Sequence, residues 1–220
     1  MTAFRSDRVG KLLASEGPLR LEPNPKVILH LLPVSAFAEA TAVDLTAAQM
    51  LSTHEFQPMG PPHSYGPQFN FDGYLVSSEI GKPPLCDSYV QLFRNGTIEG
   101  VWTGFTRERA LLIGPLEREI IQAVPRYLKL LRKLGVEPPL FVVLSLVGVK
   151  GCVIITSDEM QSRIVSRPID RDVLLLPEAL IEESGSIISD LLRSALDTIW
   201  QASGWPRSPG HDDSGKRVGR

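Results

Sequence analysis

The sequence predicts an α+β fold, in which a largely antiparallel sheet with hairpins is backed by two or three helices. Apolar runs rich in β-branched residues occupy 26–34 and 139–149, and such runs are typical of buried strands. Residues 88–102 form two apolar runs around Asn95-Gly96, a pair that favours a tight hairpin turn. Helical periodicity is limited to a few segments, of which 115–134 is the clearest.

Composition indicates one globular unit. The chain has 220 residues, of which 43% are hydrophobic and 22% charged, as is usual for globular proteins. The net charge of −2 argues against a dedicated nucleic-acid binder, which carries a basic excess. We expect a single domain over 1–204 and a disordered tail over 205–220, where apolar residues are scarce. The charged N-terminus has no signal-peptide core, which predicts a cytoplasmic protein without membrane contact.

The N-terminal half begins with a predicted helix over 4–16, which stops at a glycine and a proline. The strand over 26–34 follows, and then a candidate helix over 41–51. Residues 68–76 alternate in a way that predicts one strand. Gly73 is expected to form a bulge in it.

The C-terminal half begins with the long helix, which Pro125 is expected to kink. The apolar run that follows predicts a core strand. Four further elements are expected: a hairpin pairing 152–155 with 163–166, a strand over 172–176, a short helix over 177–183 that Pro177 opens, and a last helix over 186–201.

The hairpin around Asn95-Gly96 determines which side chains face each other. A two-residue type I′ turn places Arg94 opposite Thr97 and Leu92 opposite Glu99. Arg94 and Glu99 then become diagonal neighbours, close enough to form an ion pair. The favoured interpretation of Arg94 is therefore structural, and contact with a ligand or partner is the alternative.

The sequence contains no complete catalytic or cofactor motif. The patterns GxxxxGK[ST], GxGxxG and GxSxG are missing, so we predict no cofactor, no metal and no catalytic residue. No two of the four histidines have the spacing of a helical metal pair, and His30 is expected to be a satisfied core residue. A metal-dependent hydrolase or nuclease that uses Asp72, Glu99 and a histidine remains the alternative.

Basic residues provide a second alternative. Arg126, Lys129 and Lys133 fall on one side of the long helix, where they could contact nucleic-acid phosphates directly. Cations near a helix C-terminus are also expected from the helix dipole, and we favour a solvated face. A second, smaller basic cluster lies near the N-terminus: Arg5, Arg8 and Lys11.

Five blocks of the chain resemble a known family. They are FRSDRVGKLLASEGP, VILHLLPVSAF, FNFDGYLVS, YVQLFRNGTIEGV and the block from LEREIIQAVPRYLKLLRKLG to LVGVKG. In this order, over about residues 4–155, they resemble the region that follows the N-terminal domain of bacterial Schlafen Alba-type proteins, which are labelled DNA-binding or ATP-binding. In that family the N-terminal domain carries the nucleic-acid association. The resemblance therefore implies an accessory module, and it transfers no DNA-binding, ATP-binding or catalytic residue.

The predicted function is that of a non-catalytic module. It binds a protein partner or a small ligand and is accessory to a nucleic-acid-associated domain, which gives it an indirect nucleic-acid association. The expected contact surface is the edge of the hairpin at Arg94 together with Asn70 and Asp72 of the neighbouring segment.

Overall fold

A computed structural model describes most of the chain. The described residues are 1–38, 42–51, 54–61, 64–79, 85–155, 166–183 and 187–210, with the backbone alone at 64–65 and 79. The strands are β1 (Lys26–Pro33), β2 (Ser64–Phe69), β3 (Gly73–Glu79), β4 (Ser88–Phe93), β5 (Ile98–Trp102), β6 (Thr106–Arg107), β7 (Ala110–Leu112), β8 (Leu140–Val147), β9 (Val153–Ile155), β10 (Val173–Leu175) and β11 (Ala179–Ile181). The helices are α1 (Thr2–Leu13), α2 (Leu45–Met50), α3 (Ile113–Lys133), α4 (Ile188–Leu191) and α5 (Arg193–Ala202), with a 3-10 helix at Val34–Phe37.

The main sheet confirms the predicted α+β class. Eight strands form it, in the order β10-β8-β1-β5-β4-β3-β2, and β11 pairs with β8 beside β10. Every pair in this sheet is antiparallel. A small second sheet contains β6, β7 and β9, and its β7–β9 pair is parallel.

Each face of the main sheet is covered by a helix. The larger core lies between one face and α3, whose buried side chains include Leu116, Ile120 and Tyr127. The repeat of apolar residues at three- and four-residue steps explains this burial. The opposite face packs against α1 through Val9 and Leu12, so the central strands are apolar on both sides.

Two arginines fix α1 to its face of the sheet. Arg5 donates from Nε to Ser145 Oγ (3.0 Å) and from Nη2 to the carbonyls of Leu144 and Leu176. These contacts join α1 to β8 and to the link between β10 and β11. Arg8 is also buried, and it reaches β5. The N-terminal basic residues Arg5 and Arg8 are therefore part of the interior and not a solvated patch.

Residues 68–76 form a turn between two strands, so the predicted single strand is wrong. The chain reverses over 70–72, and β2 pairs with β3 in a hairpin. Asn70 Oδ1 accepts from Gly73 N at 2.8 Å, a side-chain bond that supports a turn. Alternation continues on both sides of the reversal, so periodicity alone cannot reveal it.

Gly73 lies at the start of β3, where the backbones of two strands approach closely, and not in a bulge. A Cβ at this position would lie 2.0 Å from the carbonyl oxygen of Leu92. We expect Gly73→Ala to lower the free energy of unfolding by about 1–3 kcal/mol, because the backbone must shift. Urea unfolding would measure this change.

The matched control for that substitution is Gly10→Ala in the middle of α1, where nothing lies within 4 Å of the added methyl group. It should stabilise the protein by about 0.5–1 kcal/mol, because alanine favours the helix. An equal response of the two variants would contradict the close approach at Gly73.

The β4–β5 hairpin has a longer loop than predicted. Leu92 pairs with Ile98 and Gln91 with Glu99, while Phe93 N donates to Thr97 O at 2.8 Å. Among the loop residues 94–96, only Gly96 has a positive φ (+83°), as in a three-residue loop that ends in a left-handed glycine. The predicted type I′ register is therefore wrong by one residue, and this reverses the face on which Glu99 lies.

The segment 177–183 contains a strand, so the predicted short helix is wrong. Ala179, Leu180 and Ile181 pair with Val142, Phe141 and Leu140 of β8. A short apolar segment cannot be assigned to helix or strand by its period alone. Here the free edge of β8 beyond β10 supplies the hydrogen-bond partners that favour a strand.

Two further predictions concern the C-terminal third. Residues 163–165 of the predicted second hairpin lie outside the described residues, and β9 pairs with β7. The described chain remains packed beyond the predicted domain end at residue 204. Trp205 contacts Trp200 (5.7 Å between ring centroids), and the buried Ser208 donates from Oγ to Glu117 Oε1 (3.0 Å). Residues 211–220 of the predicted tail lie outside the described part.

None of the described helices combines the length and the apolar character that a membrane crossing requires.

Candidate functional site

The structure brings the three predicted contact residues together at one end of the main sheet. Arg94 N donates to Asp72 O at 3.1 Å, and Arg94 Nε donates to Phe71 O at 2.9 Å. The β2–β3 turn and the β4–β5 loop therefore lie side by side. We call Phe69, Phe71, Asp72 and Arg94 the tip surface.

Arg94 does not pair with Glu99, contrary to the predicted ion pair. The extra loop residue moves Glu99 to the face that α1 covers, where Arg8 binds it. Arg94 is exposed, and no ion pair to its guanidinium is found among the described residues. A positive charge is thus available for contact at the tip surface.

Asn70 supports the tip surface from inside. Its Nδ2 donates to Gln91 Oε1 at 2.7 Å, and its Oδ1 accepts from Gly73 N. Gln91 is fully buried. The Asn70 amide therefore holds the turn in place, and its polar atoms are engaged within the protein.

Exposed aromatic rings distinguish the tip surface. The side chain of Phe71 is 93% exposed, and that of Phe69 is 50% exposed while it packs against Tyr74 at 5.0 Å. Sequence reasoning included Phe71 in a strand and so missed it. The signal that could have found it is an aromatic residue between Asn70 and Asp72, two residue types that favour turns.

The hairpin loop also contacts the segment that follows β1. Asn95 Nδ2 donates to Ala36 O (3.4 Å), and Val43 N donates to Arg94 O (2.8 Å). Phe37, beside Ala36, is 52% exposed. Ala36 and Val43 thus hold the β4–β5 loop at this end of the sheet.

A buried polar cluster lies under α1. Glu99 is 0% exposed and accepts from Arg8 through both carboxylate oxygens, with Nε–Oε2 at 2.8 Å and Nη2–Oε1 at 2.7 Å. Tyr89 Oη donates to Oε1 at 2.8 Å, and His30 Nε2 lies 2.9 Å from Oε2. We call Arg8, His30, Tyr89 and Glu99 the Glu99 cluster.

The Glu99 cluster stabilises a charged carboxylate in the protein interior. Burial alone would raise the pKa of Glu99, but the hydrogen bonds from Arg8 and His30 and their charges lower it to about 2. Burial and the Glu99 charge raise the pKa of Tyr89 well above its usual value. Glu99 is therefore ionised at neutral pH and enclosed by donors, an arrangement suited to holding α1 on the sheet.

His30 is the core histidine that the sequence predicts, with one nitrogen in use. Its Nε2 contacts Glu99, and its ring packs edge-on against Phe4 at 5.3 Å. Nδ1 has no hydrogen-bond partner among the described residues. The signal that could have linked His30 to Glu99 is that each lies within an apolar strand, because a buried polar side chain needs a hydrogen-bond partner.

The remaining histidines and the cysteines do not form a catalytic or metal-binding group among the described residues. His54 is exposed, while His63 and His211 lie outside the described residues. Among the described residues, no three histidine, cysteine, aspartate or glutamate side chains are grouped as metal ligands. Burial, together with the nearby Asp87 charge, raises the pKa of Cys86 to about 11, so its thiol is protonated at neutral pH and a weak nucleophile.

The basic face of α3 is partly neutralised. Arg126 Nη2 lies 3.0 Å from Glu119 Oε1, and Lys133 Nζ contacts Glu55 Oε1. Lys129 is exposed. Two of the three predicted phosphate-binding cations therefore already have a carboxylate partner within the chain, which weakens the attraction of this face for a polyanion.

Comparisons of this chain with models of protein families, with curated proteins and with solved structures find no match.

Proposed function

We propose that this chain is a non-catalytic α+β module that binds another protein through the tip surface. The observation that carries the proposal is the 93% exposure of Phe71 beside Arg94, which holds the Phe71 carbonyl. Aromatic residues and arginine are enriched among the residues that dominate protein–protein binding. The backbone of the turn is held by hydrogen bonds from Arg94 to Phe71 O and Asp72 O and from Gly73 N to Asn70, so binding requires little ordering of the turn.

The tip surface indicates the chemistry of the partner. The Phe69 and Phe71 rings would be covered by apolar side chains, and the Arg94 guanidinium would pair with a carboxylate. We therefore expect a partner segment that carries an acidic residue beside apolar ones. The resemblance to Schlafen Alba-type proteins further suggests that the partner is a nucleic-acid-associated domain.

The enzymatic alternative has less support from the geometry. A metal held by Asp72, Glu99 and a histidine would have to approach the Glu99 carboxylate, and Arg8 already occupies both oxygens with a positive charge. Like charges repel strongly in a buried environment. Direct nucleic-acid binding is also less favoured, because Arg126 and Lys133 pair within the chain.

Site-specific photocrosslinking tests the proposal. A benzophenone side chain at position 71 should form an adduct with one protein in cells. The same group at position 175 should not form this adduct, because the exposed Leu175 lies in β10, at the opposite edge of the sheet from β2. The adduct should disappear when Arg94→Glu is added, because the charge is reversed. Equal adducts from both positions would contradict the proposal.

The affinity between the purified chain and the crosslinked protein gives a quantitative prediction. Phe71→Ser and Arg94→Glu should each weaken binding of the crosslinked protein at least about tenfold, as expected for central interface residues. Their free energies of unfolding should stay within about 1 kcal/mol of the original, since both side chains are exposed. Calorimetric titration measures the affinity and urea unfolding the stability.

If the chain self-associates through the tip surface, the protein that binds there is a second copy of this chain. Sedimentation of the purified chain over a range of concentrations should show a monomer that Phe71→Ser leaves unchanged. A dimer that this substitution dissociates would overturn the proposal of a different protein as the partner.

A further inference from the structure

A cavity lies at the end of the main sheet that is remote from the tip surface. Its volume is about 370 Å³, within the range of about 300–1,000 Å³ typical of small-molecule sites. The end of α1, the segment 15–23 and the start of β1 line it. Val27 near the start of β1 and Ser88 at the start of β4 both pair with Trp102, the last residue of β5. The cavity and the β4–β5 loop are therefore at opposite ends of these strands.

Leucine side chains give the cavity its apolar walls. Four of them line it: Leu12, Leu19, Leu21 and Leu85. All but Leu85 also pack in the core beneath α1. Backbone hydrogen bonds fix the wall that the segment 19–22 forms, since Cys86 N donates to Arg20 O at 3.1 Å and Glu22 N donates to Cys86 O at 3.0 Å. An apolar ligand would therefore enter a space that already exists.

Lys26 contributes a half-buried positive charge to the lining. Its Nζ donates to Asn24 O at 3.2 Å, and an ammonium group has three donors. Among the described residues, no carboxylate lies within ion-pair distance of Nζ. Burial lowers the pKa of Lys26, and the more distant Asp172 charge opposes this only in part. An anion beside Lys26 would therefore offset the cost of burying its charge.

The lining as a whole is cationic. Arg20 also lines the cavity; its side chain is exposed and has no ion-pair partner among the described residues. No acidic residue of the described chain is part of the lining. The nearby Glu22 carboxylate already accepts from Asn24 Nδ2 at 3.0 Å. Two accessible cations thus lie beside apolar walls, without a carboxylate of the lining to neutralise them.

The geometry points to a binding site for a medium-chain fatty acid, in which the carboxylate pairs with Lys26 and Arg20 and the alkyl chain lies against the leucines. Hydrogen bonds between a cation and a carboxylate are among the strongest in proteins. The leucine walls favour an anion with an apolar chain over an inorganic one, because the chain leaves water on binding. This site is independent of the tip surface and of any protein partner.

Three related ligands test the inference on the unaltered chain. Octanoate, kept below the concentration at which it forms micelles, should bind saturably in a calorimetric titration. Burial of one CH₂ group contributes about 0.8 kcal/mol, which is about fourfold in affinity. Butanoate, whose chain is four CH₂ groups shorter, should therefore bind at least about tenfold more weakly. Neutral octan-1-ol should also bind at least about tenfold more weakly, because it lacks the charge that the two cations select.

Two substitutions with matched controls locate the site. Lys26→Met should weaken octanoate binding at least about tenfold, whereas Lys11→Met, which removes an exposed charge from α1, should leave it unchanged. Leu85→Glu places a negative charge in the lining and should weaken binding to a similar extent. Met50→Glu makes the same change of charge at an exposed position of α2 and should have no effect. The ¹³Cε resonance of Lys26, identified by its loss in Lys26→Met, should shift as octanoate binds.

Three results would overturn the inference. If octanoate produced neither saturable heat nor a shift of the Lys26 resonance, the cavity would hold water alone. Equal affinity for octan-1-ol would rule out recognition of the negative charge, and equal affinity for butanoate would rule out burial of the alkyl chain. All three comparisons use the unaltered chain, so they stand even if a variant fails to fold.

Discussion

Arg8→Met is expected to lower the free energy of unfolding by about 3–5 kcal/mol. The substitution leaves the Glu99 carboxylate charged and fully buried, with only His30 and Tyr89 as partners. Removing one member of a buried ion pair is costly because the other charge is no longer compensated. Loss of the Arg8 contact with the Phe93 ring, at 5.1 Å, adds to the effect. Urea or guanidinium unfolding measures the change.

The double variant Arg8→Met with Glu99→Gln separates the contribution of the ion pair to stability from that of side-chain packing. When both charges are removed, the total loss should be smaller than the sum of the two single losses, since no charge remains buried alone. Additive losses would contradict a direct interaction. If a single variant does not fold, a double variant that does fold shows the same non-additivity, because its loss is then smaller than that of the single variant.

Lys11→Met on the same helix is the matched control. Lys11 and Asp7 form an exposed pair at 2.9 Å, four residues apart on α1. Such pairs contribute about 0.3–0.5 kcal/mol. A loss as large as that of Arg8→Met would mean that any charge removed from α1 destabilises the protein, and the Glu99 cluster would not be its cause.

The contrast between Arg8 and Lys11 shows what the sequence could predict about α1. Its amphipathic pattern predicts that Val9, Leu12 and Leu13 lie near one face; Val9 and Leu12 are buried, but Leu13 is exposed. Arg5 and Arg8 lie at the same helical spacing as those residues, but charge alone suggested solvent. Whether an arginine is buried depends on the acceptors that other strands supply, here Glu99 and the Leu144 carbonyl. These partners are far apart in the sequence.

The hairpin register depended on a single loop residue. Both strands were predicted near their observed positions, because the alternation of apolar residues specifies strands well. The choice between a two- and a three-residue loop at Asn95-Gly96 was not specified, since both loops accept glycine at a positive φ. That choice decided whether Glu99 faced Arg94 or the interior. The candidate ion pair was wrong for this reason, while the proximity of Arg94 to Asp72 did not depend on it.

Short elements at the sheet edge were the least predictable. Residues 177–183 carry a helix-like composition, yet β11 forms there because β8 offers an unpaired edge. The turn at 70–72 was hidden for a related reason, since alternation does not change when a chain reverses direction. In both places tertiary hydrogen bonding outweighed local preference.

Acid is expected to destabilise the protein specifically through Glu99. The folded-state pKa of this residue is about 2, and the ordinary value is 4.5. A depressed carboxylate pKa gives stability that is fully present above pH 4.5 and is lost as the pH falls from 4.5 toward 2. The difference between the two values corresponds to about 3 kcal/mol at neutral pH. Denaturant unfolding at a series of pH values between 7 and about 2.5 measures this loss.

The protein contains other carboxylates that acid also protonates. The test is therefore the difference in stability between the original chain and Glu99→Gln at each pH. Glu99→Gln is destabilised at pH 7, and its stability should approach that of the original chain as acid protonates Glu99, because the protonated acid and the amide are nearly isosteric. The exposed Glu137, 3.8 Å from Arg132, provides the control Glu137→Gln for the loss of one acidic charge. If the original chain and Glu99→Gln lost stability in parallel down to pH 2.5, the carboxylate would not be held ionised by Arg8 and His30. In that case the Glu99 cluster would stabilise α1 through packing alone.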